Sequence, residues 1–229
     1  ARSSTSTAER WHTDVAVEAS DLVLGKGPLM LDDLDEASAA FSGTIEASLM
    51  LSGGFEATGR ISLTSAVLDL PEYSLANDGA LEARFDESTL TLDSVNLMGE
   101  GTRIEVSGSV GKPGPRLSVT GQADLALLSR FVDTIDSAKG TLYPRIGVEG
   151  TWPEIDVAGE IDLDCESIDI KDMDLDIENV HGHASFNEGA MVIDVAGGVA
   201  GGSFTAAGGM KLSGFTPTNF DLYTDFNDV

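Results

Sequence analysis

The chain has 229 residues, 41% of them hydrophobic and only 6% aromatic, and its 39 acidic and 13 basic side chains leave a net charge of −26. A negative field of that size repels DNA, RNA and anionic bilayer surfaces, which excludes nucleic-acid binding. The single cysteine, Cys165, excludes an internal disulfide, and no uninterrupted apolar run is long enough for a membrane-crossing helix.

Residues 1–8 (ARSSTSTA) are small and polar and read as a flexible linker. Beyond them the dominant signal is alternation with period two, the mark of strands with one apolar and one polar face. Ile45, Ala47, Leu49 and Leu51 share one face; Thr44, Glu46, Ser48 and Met50 share the other. Ile61 and Leu63, then Leu92, then Ile104 and Val106 continue the apolar set. Leu117 and Val119 alternate with Arg116, Ser118 and Thr120. From Asp124 the apolar spacing changes: Leu125, Leu128, Phe131, Val132 and Ile135 recur at three- and four-residue steps, so a short amphipathic helix is expected over about 124–138. Strands resume with Val148, then Val157, Ile161 and Leu163, then Ile193, Phe204 and Leu222. Turn residues at Asn77-Asp78-Gly79, Gly111–Pro115, Asn187-Glu188-Gly189 and Gly197-Gly198 are expected to reverse the chain between strands.

The chain also matches itself at a period of roughly one hundred residues. Gly43–Gly53 aligns with Gly140–Gly150, Gly59–Leu63 with Gly159–Leu163, Phe85 with Phe186, and Ile104, Val106 and Gly108 with Phe204, Ala206 and Gly208. Two units follow, 9–139 with the short helix at its end and 140–229. Divided after Lys139, the chain carries net charges of −12 and −14 on its two parts, so the acidity coats both rather than forming a tail. Strands wet on one face are the antiparallel habit. Many inner positions are Ala or Gly, which fills a closed sandwich poorly. The fold expected is all-β: an elongated, curled antiparallel sheet forming a repeating β-groove.

Sites for chemistry are sparse. Asp172–Glu178 alternates Asp with apolar residues, but an EF-hand loop needs Gly and Glu where Ile177 and His183 stand. His181 and His183 share a strand face with no third ligand at metal-binding spacing, and read as surface residues. No nucleophile motif or phosphate loop is present, so neither catalysis, a metal nor a cofactor is expected. Gly150-Thr151-Trp152-Pro153 reads as a turn anchored by its aromatic ring.

That last string opens a longer pattern. The order Gly-Thr-Leu, six residues, then Glu149-Gly-Thr-Trp-Pro-Glu-Ile-Asp-Val-Ala-Gly-Glu-Ile-Asp-Leu163 resembles the repeats of the TamB/AsmA-like family. Val180-His181-Gly182, Phe186–Gly189, a Gly-Gly-x-Phe segment and a closing Phe220-Asp221-Leu222 strand follow in the same order. The resemblance implies a periplasmic, cell-envelope β-groove that carries phospholipid between inner and outer membranes and supports outer-membrane biogenesis. It implies acyl chains and neighbouring groove repeats as partners, and an outer-membrane barrel-assembly protein engaged through regions outside this segment. The extreme acidity departs from the family. The lipid-facing residues would be Ile45, Leu49, Leu51, Ile61, Leu63, Leu92, Ile104, Val106, Val119, Val148, Val157, Ile161, Leu163, Ile193, Phe204 and Leu222. The competing expectation is a structural or adhesive β-solenoid rod with a closed, dry interior.

Overall fold

The computed structural model describes residues 11–25, 38–51, 55–70, 73–127, 134–152, 154–172, 175, 177–213 and 216–228. They form fourteen strands: β1 (Trp11–Gly25), β2 (Ser38–Leu51), β3 (Phe55–Leu70), β4 (Tyr73–Asn77), β5 (Leu81–Asp86), β6 (Thr89–Gly99), β7 (Thr102–Gly111), β8 (Arg116–Asp124), β9 (Ile135–Thr151), β10 (Glu154–Ile170), β11 (Ile177–Asn187), β12 (Ala190–Val199), β13 (Gly202–Ser213) and β14 (Thr216–Asn227). All belong to one curled antiparallel sheet in chain order, with β4 and β5 sharing a place between β3 and β6. Among the described residues β1 and β14 do not pair with each other, so the sheet is open rather than a barrel. The all-β curled sheet expected from the alternation is therefore the fold.

Strands β2 to β8 fill six places in the sheet, and β9 to β14 fill the next six. Gly59 lies opposite Phe85, and its counterpart Gly159 lies opposite Phe186. In the first pair the Phe85 ring lies over Gly59, an arrangement that rescues a glycine in a sheet. Ile45 pairs with Ile61 in the first copy, whereas Leu142 pairs with Leu163 in the second. That is a two-residue slip relative to the sequence match. A slip of two keeps every side chain on its original face.

Four expectations need correction. The strand β9 begins at Ile135, so no helix reaches 138; a three-residue 3-10 turn, Leu125–Leu127, is present, and 128–133 lie outside the described residues. The apolar steps that imitate a helix end in a strand whose ladder slips at Cys165/Ser167 and Asp169/Ile170, which disrupts simple alternation. Lys139 and Gly140, the expected unit boundary, lie within that strand. Asn77-Asp78-Gly79 does not reverse the chain; it interrupts one place in the sheet between β4 and β5, where Asn77 Oδ1 accepts a 2.7 Å bond from the Ala66 amide. Gly197-Gly198 lies inside β12, and the reversal follows at Ala200-Gly201, both with positive φ. Asn187-Glu188-Gly189 and Gly111–Pro115 do join successive strands. The proposed linker 1–8 lies outside the described residues.

Inner-face glycines have a second use. A Cβ on Gly159, whose φ is +123°, would stand 2.1 Å from the Arg145 carbonyl oxygen, and one on Gly108 would stand 2.1 Å from that of Arg116. Opposed strands approach there more closely than any side chain allows, which lets the sheet bend toward its apolar side.

The core sits along one rim. Antiparallel order places the turns after β3, β6, β8, β10 and β12 on the same side, here the Leu125 rim. Ala39, Leu70, Leu75, Leu125, Cys165, Val180 and Val199 are buried toward it. Leu125 is 0% exposed and packs with Ala138, Cys165 and Val180, with Leu142, Leu163 and Phe204 around them. Thr102, also buried, accepts from the Asp124 amide at 2.9 Å. On the opposite rim the hairpins are stapled to one another. Trp152 donates from its indole Nε1 to the Gly111 carbonyl at 3.1 Å and from its amide to Pro113 at 2.9 Å. The anchoring role expected of this aromatic is met by its polar edge, and the ring itself stays exposed.

Candidate functional site: the apolar face

Register fixes which side chains share a face. Ile45 is opposite Ile61, Ile61 opposite Ala83, and Ala83 opposite Leu92. Leu92 then meets Gly108, Gly108 meets Leu117, Leu117 meets Val148, and Val148 meets Val157. Ile161 meets Ala184, then Ile193, Gly208 and Leu222. Leu49, Leu51, Leu63, Ile104, Val106, Val119, Leu163 and Phe204 lie at even steps along the same strands. All sixteen residues singled out in the sequence thus stand on one side of the sheet. A bulge between Leu92 and Val95 keeps the face apolar by leaving Asp93 and Ser94 out of step.

Their packing is uneven. Leu163 and Phe204 lean on the closed cluster under Leu125, so they belong to its wall. Val157 is buried. The remainder are half-buried or open to solvent: Ile45 is 42% exposed, Leu51 51% and Leu222 47%. Half-burial of large aliphatic side chains in register across the sheet describes a trough, packed under Leu125 and most open on the outer strands β1, β2 and β14.

The opposite face is polar and ion-paired. Arg145 bridges β9 to β10, donating from Nε to Glu160 at 2.7 Å and from Nη2 to Asp162 at 2.6 Å. His183 approaches Asp162 at 2.8 Å and His181 approaches Asp164 at 3.1 Å, across β10 and β11. The His183 hydrogen bond, then that of Arg145, holds the Asp162 carboxyl below its ordinary 3.8. Ser48 and His12 lower that of Asp14 in the same way. Among the described residues no three His, Cys, Asp or Glu side chains stand together as a metal site. Burial pushes the Cys165 thiol up, so it remains a protonated core side chain.

Two hollows mark the contrast between faces. One of about 930 Å³ lies on the polar side of β1, β2, β3, β5 and β6, among Asp14, Ser48, Thr58, Arg60, Arg84 and Thr91. Charged and polar side chains predominate in its walls, and its size does not make it the site. One of about 270 Å³ lies on the apolar side between Met191, Met210 and Phe220. Met191 and Met210 lie outside the lining expected from the sequence, because glycines beside them obscure the alternation; Phe220 belongs to the expected closing strand.

No family model, curated protein or solved structure matches this chain. What the face does must be read from its own residues.

Proposed function

We propose that this chain is a segment of a lipid-carrying β-groove in the cell envelope, conveying phospholipid between inner and outer membranes across the periplasm and so supporting outer-membrane biogenesis. It acts as a conduit rather than an enzyme. The acyl chains rest on the apolar face, and the acidic face keeps the body in water. Neighbouring groove repeats extend the path, and an outer-membrane barrel-assembly protein is engaged through regions outside this segment.

The observation that carries this reading is the half-open state of the apolar face. A dry rod would bury Ile45, Leu51, Val119, Ile161 and Ile193; here each keeps contact with solvent. Each methylene moved from water onto such a face gains up to about 0.8 kcal/mol, so an acyl chain binds without any head-group contact. The resemblance to TamB/AsmA-like repeats points the same way. The packed Leu125 rim favours the rod instead, and the two readings separate in one experiment. Photo-crosslinking residues placed at Val119 and Ile161 should capture phospholipid in cells, whereas the same residues at Glu105 and Asp162, on the polar face, should not. Capture of protein alone from the apolar positions would establish the rod.

A further inference from the structure

We propose that the hollow on the polar side of β2, β3 and β5 is an oxyanion site, in which Arg60 and Arg84 clamp a phosphate group. The site is independent of whether the opposite, apolar face holds lipid.

The starting point is a pairing that the fold does not require. Arg60 on β3 lies directly opposite Arg84 on β5. Side chains so placed have Cβ atoms about 5 Å apart, and like charges there repel. The matching place in the second copy has Glu160 opposite Ser185, and Arg145 donates to that Glu160 at 2.7 Å. The same ladder therefore forms without facing cations. Two arginines meet on the first copy even though acidic side chains outnumber basic ones by 39 to 13.

The nearby acids do not cancel both cations. Arg84 donates to Asp93 on β6. Asp14 accepts from the Ser48 hydroxyl at 2.6 Å, and Asp86 accepts from the Ser88 and Thr89 amides at 3.3 and 3.2 Å. Glu46 is opposite Arg60 in register, yet Arg60 makes no ion pair among the described residues. Its guanidinium and the Thr58 and Thr91 hydroxyls line the hollow of about 930 Å³ as donors with no acceptor among those residues.

Phosphate suits this arrangement. A guanidinium offers N–H donors in a planar fork that matches two oxygens of one phosphate. Two such forks a strand spacing apart can hold one tetrahedral group between them. Thr91 stands opposite Arg84, and Thr58 two residues along β3 from Arg60, so their hydroxyls can donate from either side. The bound anion relieves the repulsion between the arginines, and Glu46 is its competitor for Arg60. At 0.15 M salt the Debye length is about 8 Å, so the molecule's more distant negative charge is largely screened. Free phosphate and a phospholipid head group present the same chemistry here.

The test is calorimetric titration of the whole chain in about 0.15 M sodium chloride, with inorganic phosphate and glycerol 3-phosphate as separate probes. At least one should bind saturably with a dissociation constant of about 1 mM or lower. Tighter binding of glycerol 3-phosphate assigns the site to a lipid head group, and tighter binding of inorganic phosphate to the free ion; either upholds it. Arg60→Gln and Arg84→Gln, both at exposed positions, should each weaken binding about tenfold or more with an unchanged circular dichroism spectrum. Glu46→Gln removes the competing carboxylate and should strengthen binding. Arg116→Gln, on β8 and outside the hollow, should leave it unchanged. A wild type that binds neither probe overturns the proposal. So does an equal loss in Arg60→Gln and Arg116→Gln, which would signify attraction to positive charge at large.

Discussion

At the scale of the residue, the inner-face glycines and the paired carboxylates make separable claims. Gly159 occupies a positive φ and faces the Arg145 carbonyl oxygen at a distance no Cβ tolerates. Gly159→Ala should therefore cost about 1–3 kcal/mol, seen as a lowered denaturation midpoint, whereas Gly147→Ala, with no atom nearer than 3.8 Å, should be close to neutral. Equal effects would deny that close strand approach bends the sheet. Asp162 makes a claim about pH. Its carboxyl is depressed in the fold, so its contribution is complete above the ordinary 3.8 and disappears as pH falls through the lower folded value. Wild type should exceed Asp162→Asn in melting temperature near neutral pH, and the gap should narrow as pH falls below 3.8. A gap that is constant with pH would mean that His183 and Arg145 do not hold the carboxylate. Much at this scale was legible beforehand: which residues share a face, and which glycines in the two copies correspond. The bulge at Asp93 and the two-residue slip of β9 on β10 were not, because register depends on partners distant in sequence.

At the scale of the element, the apolar face is packed under Leu125 and half-open elsewhere, and the two places should respond differently to truncation. Leu125, fully buried beneath Ala138, Cys165 and Val180, should cost about 2–5 kcal/mol when changed to Ala, because its cavity cannot collapse. Ile193→Ala, on the half-open face, should cost no more than about 1–2 kcal/mol, since less surface returns to water. Chemical denaturation of both variants measures the difference, and similar losses would mean that the face is packed throughout. This asymmetry could not be read from alternation, which assigns a side chain to a face but not to a depth. The expected helix at 124–138 failed for a related reason. Leu125 is buried because a 3-10 turn folds over the sheet, and Ile135 is half-buried against it where a strand starts; their spacing imitates a helix without one.

At the scale of the whole molecule, like charges spread over both copies should destabilise the compact state and be relieved by screening. The melting temperature should rise from low to about 1 M sodium chloride, where the Debye length falls to about 3 Å. A flat response would mean that ion pairs such as Arg145 with Glu160 and Asp162 already neutralise the polar face. The apolar face makes the larger claim, that a half-open trough accepts acyl chains. A charge buried beside such chains without a partner is costly, yet in an open trough water still reaches it. Native mass spectrometry of the purified chain beside its Ile161→Asp variant tests this most directly. A lipid-accepting trough should give phospholipid adducts on the wild type and a folded variant without them; a wild type free of lipid, or a variant that unfolds outright, would deny that role.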